Sequence, residues 1–182
     1  RVAAAGNLNT ASAVAAGRQV QSPAARNTEI NNQRQRWLAA GNARRITDED
    51  YKDLPDFEDL EAGGNGSGLY FDRNLTSWPR YDGADGWKNA NIDLRVILMR
   101  VAKAFGTDLH INSPWRSAAH NERVGGVSGS LHLSGNAFDI SWRGYPNNRT
   151  EFLRIAYQEG FTGHGIYGGF VHIDLGNRVF TP

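Results

Sequence analysis

The 182-residue sequence predicts an α+β fold, and three observations carry that prediction. Ile92 to Phe105 sets apolar residues at 94, 97, 98, 101 and 105, the spacing of a helix with one buried face. Short stretches at 108–113, 138–142 and 163–175 read as strands, the last folded back on itself near Gly168-Gly169. His132, Asp139 and His172 fall on or beside these strands, so helices lead into short antiparallel strands grouped round a polar centre.

Each element follows from local chemistry. Residues 1–28 are rich in Ala, Asn, Gln and Ser and nearly free of large apolar side chains, so alone they cannot offset their ordering entropy. Thr28 to Ala40 predicts a helix capped by Thr28, stopped by Gly41 and striped by Ile30, Trp37 and Leu38. Thr47-Asp-Glu-Asp50 opens a second short helix, its acids placed against the N-terminal dipole. Gly63 to Gly68 has the composition of a flexible linker and marks a boundary between an arm of residues 1–68 and a compact domain of residues 69–182. Gly106 closes the helix over 92–105, and Asp108 to Ser113 alternates as a strand. Arg116 to Val124 is polar and helical, closed by Gly125-Gly126. Phe138 to Trp142 is a strand carrying Asp139 near its start, and Arg149 to Gln158 returns to helical period through Phe152, Leu153, Ile155 and Ala156.

Composition excludes several function classes. Cysteine is absent, which removes disulfides, thiolate metal sites and a cysteine nucleophile. No apolar run approaches the roughly 20 residues of a membrane span. The chain opens on Arg1 rather than Met, as expected if a leader such as a signal peptide has been removed. A net charge of +1 hides an asymmetry: residues 1–46 carry +6 and residues 47–61 carry −7. The arginines of the arm are scattered, without interleaved aromatics, and an acidic block follows directly, so no nucleic-acid partner is expected. Arm and block are expected to neutralise each other or to sit on a partner.

The chemistry concentrates in Ser130-Leu-His-Leu-Ser-Gly-Asn-Ala-Phe-Asp139 and Gly169-Phe-Val-His-Ile-Asp-Leu-Gly176. A catalytic zinc site takes three protein ligands and leaves the fourth position to water. His132, Asp139 and His172 supply that count from two separated segments. The bland alternative for His132 and Asp139 is a buried hydrogen-bonded pair, and for Arg116 an ion pair with Glu122 or Asp139.

The pattern Ser130-x-His132-x-x-Gly135-x-Ala137-x-Asp139 resembles the signature of zinc D-alanyl-D-alanine carboxypeptidases and endopeptidases, the group that shares its fold with the Hedgehog signalling domain. Ser113-Pro-Trp-Arg-Ser-Ala-Ala-His-Asn-Glu-Arg-Val-Gly-Gly126 resembles that family's arginine-bearing segment, and Phe170-Val-His-Ile-Asp174 its third-ligand strand. The three segments occur in the family's order and span roughly residues 90–176, leaving residues 1–68 outside. The resemblance implies a Hedgehog/DD-peptidase-like domain, a small antiparallel sheet around Zn²⁺, preceded by an extended or partly helical N-terminal arm. It also implies that His132, Asp139 and His172 hold the metal, which acidifies a bound water toward a pKa of about 7. Arg116 matches the arginine that binds substrate or its developing oxyanion, and Ser130 a position lining the substrate site. Asp174 lies two residues past His172, on the same side of a strand, where it can orient that ligand.

The sequence departs from the family in one place. The acidic residue three before the third ligand, or the histidine two before it, is replaced by Gly169 and Phe170, neither of which can move a proton. Candidates for the general base are His164, Glu122, His120 and Asp174, of which His164 titrates near neutrality with an ordinary pKa of about 6.5. Two function classes follow. One is a zinc peptidase hydrolysing peptidoglycan stem or cross-link peptides, periplasmic or extracellular, or a virion-associated or lytic component of a phage. Its partners would be cell-wall peptides and, through residues 1–61, phage structural proteins. The alternative is a zinc-binding structural or interaction protein of a phage particle that keeps the fold with little or no turnover.

Overall fold

The computed structural model describes residues 32, 45–62, 66–71, 81–142, 148–176 and 179–180. Apart from Asn32, the arm through residue 44 lies outside these residues, and with it the helix expected over 28–40.

Helices α1 (Asp48–Lys52), α2 (Phe57–Ala62) and α3 (Ala84–Lys88) precede the long α4 (Ile92–Phe105), followed by α5 (Ala118–Arg123), a one-turn 3-10 helix (Leu131–Ser134) and α6 (Arg149–Glu159). Six strands, β1 (Leu69–Tyr70), β2 (Leu109–Ser113), β3 (Ala137–Ser141), β4 (Gly163–Ile166), β5 (Phe170–Asp174) and β6 (Val179–Phe180), form a sheet in the order β1-β2-β3-β5-β4-β6. The four central strands pair antiparallel, while β1–β2 and β4–β6 pair parallel. The α+β class expected from the sequence is the class observed.

Period-2 and period-3.6 patterning explain the layers. Leu94, Ile97, Leu98 and Val101 of α4 and Phe152, Ile155 and Ala156 of α6 share one core with Ile111, Phe138, Ile140, Val171 and Ile173 of the sheet. Asn91 caps α4 by accepting from the Asp93 N–H at 3.0 Å, and Gly106 ends it at φ 73°. The opposite sheet face carries Asp139 and His172, which alternate with the core residues along their strands, and Ser113, which a register shift after Ile111 brings opposite Asp139.

Packing continues past the glycine-rich stretch that composition marks as a boundary. Leu60 is fully buried, Phe57 stacks on Phe71 with ring centroids 5.3 Å apart, and the Trp87 indole donates to the Pro55 carbonyl at 2.8 Å. Gly68 sits against α4 so closely that a Cβ there would lie 2.9 Å from the Ala102 Cβ. Its glycine answers a close approach as well as a left-handed φ of 74°.

The acidic block is partly engaged by this packing. Asp50 accepts from the Thr47 N–H at 2.8 Å and pairs with the nearly buried Arg100 guanidinium at 2.6 Å, and Asp53 lies 3.4 Å from Lys103. The Arg100 hydrogen bond holds the Asp50 carboxyl well below the usual carboxylate range, against the burial that would raise it. Asp50→Ala is expected to cost about 3 kcal/mol at neutral pH, since it removes the carboxylate partner of a buried cation. The pair's contribution is complete above the unfolded carboxylate pKa of about 3.9 and is lost as pH falls below it. Urea denaturation of both proteins should therefore show curves well separated at neutral pH and converging in acid.

Candidate metal centre

Strand register builds two thirds of the centre. Asp139 on β3 lies directly opposite His172 on β5, so their side chains leave the same face together. The third group arrives on the 3-10 helix, where Ser130 caps the turn by accepting from the His132 N–H at 3.3 Å. That turn ends at Gly135, φ 72°, packed so tightly on the chain before α4 that a Cβ would meet the Asn89 carbonyl at 2.4 Å. Any side chain at 135 would push the His132 turn away from the sheet.

The three donor atoms form a near-equilateral triangle. His132 Nε2 is 3.1 Å from Asp139 Oδ1 and 3.2 Å from His172 Nδ1, and His172 Nδ1 is 3.0 Å from Asp139 Oδ1. Ligand atoms about 2.0–2.1 Å from a tetrahedral zinc stand roughly 3.3 Å from one another, so the triangle is close to the size the ion needs. Both rings are locked from behind. The Pro114 carbonyl, 2.6 Å from His132 Nδ1, can only accept, so Nδ1 carries the proton and Nε2 turns a lone pair inward. Asp174 Oδ2 accepts from His172 Nε2 at 2.9 Å and leaves Nδ1 facing inward, while its Oδ1 is held by the Gly176 N–H at 2.7 Å. Three inward acceptors within hydrogen-bond distance of one another call for a shared cation, and the residues fit one.

Electrostatics agree with that requirement. Burial would raise the Asp139 carboxyl, but His132, His172 and Arg116 together hold it well below the usual carboxylate range. Burial pushes His132 down, favouring the neutral ring a metal needs. His172 also suffers burial, yet its hydrogen bonds to Asp139 and Asp174 outweigh it and push the ring up to about 9. The Asp139 and Asp174 carboxylates thus favour positive charge at the His172 ring.

Arg116 closes the polar floor. Its Nε donates to Ser113 Oγ at 2.6 Å and its Nη2 to Asp139 Oδ2, the oxygen turned away from the imidazoles. Register places Ser113 opposite Asp139 by a bulge between Ile111 and Ser113, an irregularity that re-aims side chains beside a site. The floor opens into a cleft of about 500 Å³, lined also by Val124 to Val127, Tyr167 and Phe170.

The structure thus brings His132, Asp139, His172, Arg116 and Ser130 to one cleft, with Asp174 behind His172. It does not bring the other proposed proton carriers there. His164 pairs in register with Ile173, on the core face, and bonds the Tyr157 hydroxyl at 2.8 Å. His120 is buried against Asp82 beneath the Tyr81 ring, and Glu122 is exposed on α5 outside the cleft. A Cβ at Gly169, at the hairpin tip, would meet nothing within 4 Å. Sequence reasoning overlooked Tyr167, Ser113 and the Pro114 carbonyl. The turn at 168–169 already pairs 167 with 170 and 164 with 173, so Tyr167 and His164 were assignable by counting. The bulge that aims Ser113 leaves no such trace.

Asp174→Asn should weaken zinc binding by about 10–100-fold while leaving the fold intact, because the carboxylate orients His172 from outside the triangle. A competition titration against a chromophoric chelator measures this directly.

A family model described as Peptidase M15 matches residues 74–174, more than half of the chain, and spans all three triangle residues. No curated protein matches the chain. Among the described residues no helix is long and apolar enough to cross a membrane.

Proposed function

The chain belongs to the peptidase M15 family, and from that membership we propose that it is a zinc-dependent peptidase hydrolysing peptidoglycan stem or cross-link peptides. The observation that carries this reading is the triangle of His132, Asp139 and His172 with both imidazoles locked inward by Pro114 and Asp174. Zinc, when bound, supplies a Lewis acid for a peptide carbonyl and lowers the pKa of water. The chain's own residues do the remainder. Arg116, braced by Ser113 and Asp139, presents a fixed cation at the cleft floor, suited to charge that develops on a carbonyl oxygen. Ser130, at the cleft edge, offers a hydroxyl to the peptide backbone. Val124 to Val127, Tyr167 and Phe170 line the same cleft, where the peptide would lie.

We assign attachment to residues 1–61, on phage particle proteins, with Asp50 and Asp53 already committed to α4. The corresponding proposal for location is periplasmic or extracellular, or in a virion.

One observation favours a second reading, a zinc-binding interaction protein of a particle. Gly169 and Phe170 occupy the positions where the family carries its proton acceptor, and His164, His120 and Glu122 lie away from the cleft. Incubation of the zinc-loaded full chain with purified sacculi, followed by mass spectrometry of released muropeptides, separates the two. New peptide termini support the peptidase; a zinc-loaded chain that binds sacculi and releases nothing supports the interaction protein.

A further inference from the structure

We propose that Tyr167 is a catalytic residue of this chain, the proton donor to the departing amine, in place of the groups that positions 169 and 170 lack. The proposal rests on the peptidase reading above.

Hairpin geometry puts the phenol on the correct face. The Tyr167 N–H donates to the Phe170 carbonyl at 2.9 Å, closing a two-residue turn through Gly168 and Gly169. Residues 167 and 170 are therefore the last cross-strand pair, and their rings stack with centroids 4.3 Å apart and planes 11° from parallel. Phe170 precedes His172 by two residues in β5, so both project from the face that carries the metal ligands. Tyr167 joins them, and it lines the cleft with Arg116 and His172. The rest of the hairpin offers nothing equivalent there. Gly163 and Gly165 are β4's contributions to that face, and Asp174 is fully buried behind His172.

The tip is held rather than loose. The Trp142 indole donates to the Tyr167 carbonyl at 3.2 Å, the Trp142 backbone N–H to the Gly169 carbonyl at 3.0 Å, and Arg149 Nη2 to the Gly168 carbonyl at 3.3 Å. Arg149 also lies 4.9 Å from the Trp142 ring centroid. Three consecutive carbonyls are thus clamped, and preorganisation of this kind is what a proton donor requires.

The step balances with water as the only co-reactant. As water oxygen adds to the carbonyl carbon and the C–N bond breaks, the nitrogen takes the Tyr167 proton and leaves as the amine. The phenolate recovers a proton from the water that was consumed, giving a carboxylic acid, an amine and the original side chain.

The test uses the zinc-loaded full chain and its Tyr167→Phe variant, with solubilised muropeptides as substrate. Expected are unchanged zinc content, KM within a few-fold, kcat lowered about 100-fold, and loss of the alkaline limb of the kcat–pH profile. A variant whose kcat stays within about threefold of the parent, or whose loss lies wholly in KM, overturns the proposal while leaving the peptidase reading standing. A parent chain that binds zinc and cleaves no muropeptide overturns the reading and the role of Tyr167 with it.

Discussion

Replacing His132 by alanine is expected to abolish stoichiometric zinc binding and, with it, any peptide hydrolysis. His132 supplies one of three inward donors, each within 3.2 Å of the other two, and Pro114 fixes its tautomer. Loss of an outer partner costs roughly 10–100-fold in metal affinity; loss of a ligand removes the bond itself, and about 1,000-fold or more is expected. The remaining Asp139 and His172 still form a cross-strand pair 3.0 Å apart, which suits an ordinary ion pair better than a metal. Zinc content after dialysis, measured by atomic absorption beside a circular dichroism spectrum, reads the effect. Native-like ellipticity with no zinc is the expected outcome; zinc retained at one equivalent would remove His132 from the ligand set.

Arg116→Ala should reduce kcat by about 100–1,000-fold at saturating zinc, the range for losing one preorganised donor to a developing oxyanion. Arg116→Lys should recover little. A lysine ammonium cannot reach Ser113 Oγ and Asp139 Oδ2 together through a planar fork, so the cation would lose its fixed direction. Initial rates over a range of muropeptide concentrations separate kcat from KM. A loss confined to KM would mean that Arg116 holds the substrate in its ground state and adds nothing at the transition state.

Much of this was legible in the sequence because burial and periodicity coincide. The apolar face of α4 falls at 94, 97, 98 and 101, all buried, and the β4–β5 turn falls at Gly168-Gly169. The meeting of His132, Asp139 and His172 was legible too, as a candidate ligand set of two histidines and an aspartate in a chain without cysteine. Contacts set by tertiary packing were not legible. Leu60 and Phe57 are single apolar residues in an acidic run, and only the finished fold shows that they enter the core. Gly68 reads as linker composition, whereas its place against Ala102 depends on how closely the chain approaches α4. The engagement of Arg116 by Ser113 and Asp139 depends on a bulge that shifts register by one residue. For His164, expected as a candidate base from its ordinary titration range, strand parity sets a further constraint by turning it toward Tyr157.

The most direct measurement is the appearance of new termini in muropeptides treated with the full chain, with and without a chelator, followed by zinc re-addition. If this chain is a zinc peptidase, one bond type is cut, cutting stops when the metal is removed, and it returns when one equivalent of zinc is restored. Intact muropeptides from a chain that carries one equivalent of zinc would contradict that conclusion.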